Sequence, residues 1–147
     1  MTNGLDALRP LIGQTTANSP SPLGRWLNGT LQEVGENGIK IAYVVRAEMT
    51  NPVGILHGGM VATLLDDIMG MTIMVKYSAD LSGYFFSTVN LHVDYLASAR
   101  EGATVIASSN ITKAGNKIMN AEGWLHDSGG KLLAHSTSNL LKVEIRA

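Results

Sequence analysis

The sequence predicts an α+β fold: an antiparallel sheet of about six strands wrapped around one long central helix, with a short N-terminal helix in front. Two patterns predict it. Residues 60–75 hold eleven apolar side chains among sixteen, broken only by the charges of Asp66 and Asp67. Such a stretch reads as a helix enclosed by protein on every side. Around it lie short runs of alternating apolar and polar residues, separated by turns rich in Gly, Asn and Asp, the pattern of consecutive antiparallel hairpins. A chain of 147 residues is long enough to bury one such core.

In chain order, Leu5, Leu8, Leu11 and Ile12 mark one face of a short helix that Gly13 can end. The Ser/Thr/Pro-rich stretch 15–22 reads as a loop. Residues 1–22 are therefore expected to be a helix and loop, and 23–147 a single domain. Trp26 and Leu27 are expected to dock on the core. Strands follow at about 28–34 and 39–47, joined by Gly35-Glu36-Asn37-Gly38, whose residues tolerate positive φ. Ile39, Ile41, Tyr43 and Val45 alternate toward one side. After the helix, Leu81-Ser82-Gly83 breaks the pattern. The strand at 88–95 alternates, with Val89, Leu91, Val93 and Tyr95 on one face and Thr88, Asn90, His92 and Asp94 on the other. Strands at about 103–112, 117–126 and 131–143 complete the sheet, with turns at 114–116 and 127–130.

Composition excludes several classes of function. Net charge is −1 and no Lys/Arg stripe exists, so nothing global attracts nucleic acid or an anionic membrane. Without cysteine there is no disulfide framework and no thiolate chemistry. His57, His92, His126 and His135 lack metal-ligand spacing with partner acids. No secretory leader pattern opens the chain, and 60–75 is too short and too interrupted to span a bilayer. The expectation is a soluble cytoplasmic protein without metal. Its 45% apolar and 16% charged residues favour contact between subunits.

The chemistry gathers at the start of the helix. His57-Gly58-Gly59 presents bare backbone N–H groups at a positive helix end, suited to a developing negative charge. If Gly58 N–H faces a ligand carbonyl it acts as an oxyanion donor, typically worth ~3 kcal/mol of barrier. Asp66 and Asp67 are costly in apolar surroundings unless paired or needed, and burial would raise the pKa of a carboxylate and strengthen it as a base. Asp66 lies eight residues after Gly58, ~12 Å along the axis. One carbonyl cannot touch both groups of one chain. A second helix packed antiparallel would bring its own Asp66 to that spot, so the chemistry requires a homodimer with two composite sites.

These residues carry a resemblance. The segment Glu48-Met49-Thr50-Asn51-Pro52 through His57-Gly58-Gly59, then Asp66-Asp67, Thr88-x-Asn90, Asp94-Tyr95 and Ser138-Asn139-Leu140, resembles the hotdog-fold acyl-CoA thioesterases, specifically the phenylacetate-pathway (PaaI-like) branch. The resemblance runs over about 26–141. It implies a hydrolase of medium-chain or phenylacetyl-type aromatic acyl-CoA. In it Gly58 N–H polarises the thioester carbonyl, and the partner's Asp66 acts as general base or nucleophile. Asn51 and His57 orient the carbonyl and water, and Thr88 holds water or Asp66. Gly59 and Asp67 are expected to support the substrate, and Arg100, Lys113 and Lys117 are candidates for the coenzyme A phosphates. The resemblance also implies a continuous sheet across two protomers, a homotetramer built as a dimer of dimers, and no cofactor beyond the coenzyme A of the substrate. A non-catalytic acyl-CoA-binding module is the alternative. A hotdog hydratase is disfavoured, because an Asp-x-x-x-x-His pattern is not evident.

Overall fold

A computed structural model of the chain describes residues 3–79 and 83–146. Its strands are β1 (Thr30–Val34), β2 (Ile39–Val44), β3 (Tyr84–Tyr95), β4 (Thr104–Ala114), β5 (Ile118–Asp127) and β6 (Leu132–Glu144), and its α-helices α1 (Pro22–Leu27) and α2 (Gly58–Lys76). All pairings are antiparallel, in the order β1-β2-β4-β5-β6-β3. Helix α2 lies along the concave face and carries the chain from β2 to the far edge at β3. This is the hotdog arrangement expected above. By length and hydropathy alone the full nineteen-residue helix would reach across a bilayer, but here it is seated in the sheet.

The front helix forms at Gly4–Leu11 as a 3-10 helix. Leu5, Leu8 and Leu11 recur every three residues, the 3-10 period, and Pro10 removes an N–H that an α-helix would use. Asn3 caps it by accepting Leu5 N–H at 3.1 Å. Leu5 is wholly buried, and the Gly4 backbone presses against Val75, leaving no room for a side chain. The stretch read as loop contains a second 3-10 turn and the start of α1, capped by Ser21, whose side chain accepts Gly24 N–H. Leu27 is buried as expected; Trp26 is not. Its ring lies on the surface with the Arg46 guanidinium 4.7 Å from its centroid, an exposed cation–π pair.

Ile39, Ile41, Tyr43 and Val45 all point inward. The 35–38 turn departs from expectation, because neither glycine has positive φ. Gly38 is required by crowding, since a Cβ there would collide with the Ser109 carbonyl. The break read at Leu81-Ser82 lies outside the described residues; Gly83, which follows, has φ +85. Strand β3 begins at Tyr84, four residues earlier than the alternation indicates.

The expectation for α2 itself needs correction. Val61, Leu64, Leu65, Ile68, Met69, Thr72 and Ile73 are buried, whereas Asp66, Asp67, Gly70, Met71 and Met74 are only half-buried. One protomer's sheet wraps one side of the helix, so the other side stays partly open within the chain.

Candidate active site

Helix α2 begins where His57 adopts extended backbone and its Nδ1 accepts the Gly59 N–H at 2.8 Å. That bond makes Nδ1 an acceptor, so the neutral ring carries its proton on Nε2 and presents a donor outward. It also occupies Gly59 N–H. Gly58 N–H meets no acceptor among the described residues, while the Gly58 carbonyl accepts the Tyr95 hydroxyl at 2.7 Å. A Cβ at Gly58 would meet Tyr95 at an ordinary 3.4 Å. The chain itself therefore makes no steric demand for glycine at 58.

Asn51 closes the preceding loop. Its Oδ1 accepts Val53 N–H at 3.1 Å and Ile55 N–H at 3.3 Å, and its carbonyl accepts Gly54 N–H at 2.9 Å. With the oxygen engaged, the side chain offers outward only its amide N–H groups.

Two turns along the helix, Thr88 Oγ1 donates to Asp66 Oδ1 at 2.8 Å. Strict alternation along 88–95 would aim Thr88 at the opposite face, with Asn90. The strand instead carries a bulge: Thr88 opposes Leu140 and Asn90 opposes Asn139, leaving Val89 as the extra residue. A bulge shifts the face of everything on one side of it. Thr88 is thereby placed on the concave face together with Leu91, Val93 and Tyr95, and reaches Asp66.

Burial, and secondarily the charge of Asp66, pushes the Asp67 carboxyl up to about 6. Burial, and then Asp67 itself, raises the Tyr43 hydroxyl in turn. The carboxylate that burial raises is thus Asp67, the neighbour of the residue expected to act.

Asp66, Asp67 and Thr88 open into a largely apolar cavity of about 730 Å³. Gly70, Met71 and Met74 continue its floor along α2, and residues 8–24 form a wall. His57, Gly58 and Asn51 do not line it. The chain thus forms two separate clusters: His57, Gly58 and Tyr95 with the Asn51 loop at one point, and Asp66, Asp67 and Thr88 at another. Arg100 forms a backbone bridge with Ile55 near the first cluster. Lys113 and Lys117 flank the β4–β5 hairpin, beyond the opposite end of α2, and one chain does not bring the three cations together. Pattern and motif assign no site role to Tyr95, Gly70 or the N-terminal wall, which the structure places at these clusters. An isolated glycine inside a helix was the available signal for Gly70.

Comparison with known proteins agrees with this architecture. The profile of the thioesterase superfamily matches residues 53–134, more than half of the chain. Human acyl-coenzyme A thioesterase 13 is 27% identical over 137 residues, 91% of this chain and 93% of the relative. A Ralstonia eutropha thioesterase described as phenylacetic acid degradation-related is 28% identical, with a TM-score of 0.74 over 95% of this chain and 99% of that one. A Pseudomonas aeruginosa thioesterase shares the fold at 18% identity, with a TM-score of 0.79 over 99% and 97% of the two chains.

Proposed function

Since the chain belongs to the thioesterase superfamily and is a thioester hydrolase, we propose that its substrate is a medium-chain or aromatic acyl-CoA, cleaved at sites shared between two protomers. The observation that carries this reading is the split pair of half-sites: an unclaimed Gly58 N–H, and an Asp66 carboxylate held by Thr88 ~12 Å further along the helix. Two antiparallel copies of α2, related by a two-fold near Ala62, join one protomer's glycine to its partner's acid.

At the composite site the thioester carbonyl accepts Gly58 N–H. The Nε2–H of His57 and the amide of Asn51 orient that oxygen and a water. Asp66 takes the water proton as hydroxide adds to the carbonyl carbon; in the nucleophilic variant an Asp66 oxygen adds instead, loss of the thiolate leaves an acyl–Asp66 anhydride, and water then cleaves it to the free acid and regenerates the carboxylate. Negative charge gathers on the oxygen facing Gly58 at the helix start, where fixed dipoles stabilise it. Collapse expels the coenzyme A thiolate, which takes up a proton. Thr88 holds one Asp66 oxygen and leaves the other for the water. The reading needs no cofactor beyond the coenzyme A of the substrate. Support for the acyl-CoA class comes from the named activity of the human relative, and for aromatic groups from the Ralstonia protein.

The free edge of β3 supports the assembly. Among the described residues β3 pairs only with β6, and it exposes Phe85, Val89 and Tyr95, with Leu96 just beyond its end, an unpaired edge rich in apolar side chains. The test is a panel of acyl-CoAs with a free-thiol readout, on the wild type and Asp66→Ala. Release of coenzyme A by the wild type, reduced roughly 10²–10⁴-fold in the variant, is expected for loss of a positioned base. Turnover untouched by Asp66→Ala but abolished by Asp67→Ala would refute the assignment of the acid.

A further inference from the structure

We propose that the acyl tail lies along α2 from Asp66 past Gly70 toward Met74, beneath the wall made by the N-terminal segment, and that Gly70 and Leu11 select which tails are accepted. The proposal rests on the acyl-CoA reading above and names the part of the cavity that reads the substrate.

Gly70 carries the argument. Glycine inside a helix is disfavoured relative to alanine. The nearest neighbour of a Cβ placed at Gly70 would be Leu140 Cδ2 at 3.9 Å, an ordinary contact. Nothing within the chain requires a missing side chain there. The partner helix does not account for it either, because a two-fold near Ala62 lies eight residues away, ~12 Å along the axis. Gly70 instead lines the cavity, one turn beyond the acids and one turn before Met74. Its empty position keeps the floor open between them.

The wall is a fixed part of the protomer. Leu5 is wholly buried, Arg9 Nη1 donates to the Val34 carbonyl at 2.9 Å, and Gly13 N–H donates to the Leu31 carbonyl at 2.8 Å. From this anchored segment Leu8 and Leu11 face the cavity opposite Met71 and Met74. Leu11 is 43% exposed, so it stands at the rim and can be enlarged without disturbing the core. The methionines give an adaptable surface suited to tails of varied shape. A volume of about 730 Å³ is that of a ligand pocket rather than a packing gap, and it exceeds what an acetyl group would fill. The chemical class is an extended apolar tail, alkyl or arylalkyl.

The experiment compares kcat/KM for butyryl-CoA and dodecanoyl-CoA in the wild type, Gly70→Leu, Gly70→Ala, Leu11→Trp and, as a control, Ile12→Trp, a neighbour that does not line the cavity. Melting curves confirm that each variant folds. In Gly70→Leu and Leu11→Trp the dodecanoyl-to-butyryl ratio is expected to fall roughly tenfold or more, the loss expected when two or more methylenes leave their slot. Gly70→Ala should give a smaller fall and Ile12→Trp none. A ratio unchanged in both Gly70→Leu and Leu11→Trp, or lowered equally by Ile12→Trp, overturns the proposal. Should the wild type cleave no acyl-CoA, the function proposed above fails, and calorimetric binding of the free acids decides the slot separately. Affinity rising with chain length in the wild type but not in Gly70→Leu supports it, and affinity indifferent to length overturns it.

Discussion

The two edges of the sheet face the same difficulty and meet it differently. Beside β1, residues 13–16 run as an improvised extra strand, with Gly13 N–H donating to Leu31, Leu31 N–H to Gln14 and Thr16 N–H to Gly29, all within 3.0 Å. The edge is closed from within the chain, and the closing segment becomes the wall of the cavity. Beside β3 no segment of the described chain does this, and Val89 and Leu96 remain more than half exposed. Unpaired strand edges invite association unless covered. The covered edge therefore serves the interior of the protomer, whereas the open edge, which also carries Thr88 and Tyr95, is where a second copy is proposed to add. Both halves of the candidate site are tied to this open strand through hydrogen bonds to Asp66 and to the Gly58 carbonyl.

The strongest way to break the comparison is complementation. Asp66→Ala and Gly58→Val protomers are each expected to be nearly inactive alone. Refolded together they should recover about a quarter of wild-type activity, because random pairing makes half of the dimers mixed, each with one intact site. No recovery in a coenzyme A release assay would show that the open edge does not assemble the site.

Next in size is Val89→Lys. Val89 sits near the middle of β3, so symmetric pairing of that edge brings each lysine close to its own copy. The like-charge contact should weaken association on the order of 100-fold, with activity falling in parallel at low protein concentration. Sedimentation across a dilution series checks this; unchanged association would move the interface elsewhere.

The closed edge should respond in the opposite sense. Thr16 Oγ1 donates to the Gly24 carbonyl at 2.7 Å and accepts Gly29 N–H at 3.0 Å. Thr16→Val should cost about 1–3 kcal/mol of stability for the partners left unpaired, while the oligomeric state stays as in the wild type. Urea unfolding and sedimentation together read that contrast.

A smaller effect lies between the edges, at Asp67. Its folded pKa, about 6, stands above the unfolded value because burial and then Asp66 oppose its ionisation. The native state therefore holds this proton where the unfolded chain has released it. The penalty is absent below roughly pH 4 and fully present above about pH 6, so stability falls as pH rises through that window. Wild type should lose on the order of 1–2 kcal/mol across it relative to Asp67→Asn, allowing for partial solvent screening. Parallel pH profiles of melting temperature for the two proteins would sink this idea.

Several features could be read before any coordinates. The apolar run with its acid pair gave the central helix, and the hairpin turns gave the antiparallel order from β4 to β6. Gly58 and Asp66 stood out because their chemistry is specific: a bare amide at a helix start and a carboxylate in apolar company. Thr88 was named from the resemblance, yet the alternation around it pointed it the wrong way. One extra residue, Val89, reverses the face, and no composition signal marks a bulge. Trp26 misled for a related reason: a large ring pairs as well with a surface guanidinium as with a core.

The amino-acid order by itself determined the long central helix and most of the strands, since periodicity and turn chemistry act within a few residues. It also marked the candidate groups, Gly58 and Asp66, which are a matter of residue type and position. Tertiary structure alone decided the rest. It chose the face that Thr88 presents, the carboxyl of the pair that burial raises, the segment that seals β1, and the empty place at Gly70. Each of these depends on groups far apart in the chain being brought together, and pairings at that range are settled by packing and hydrogen bonds that local sequence does not encode.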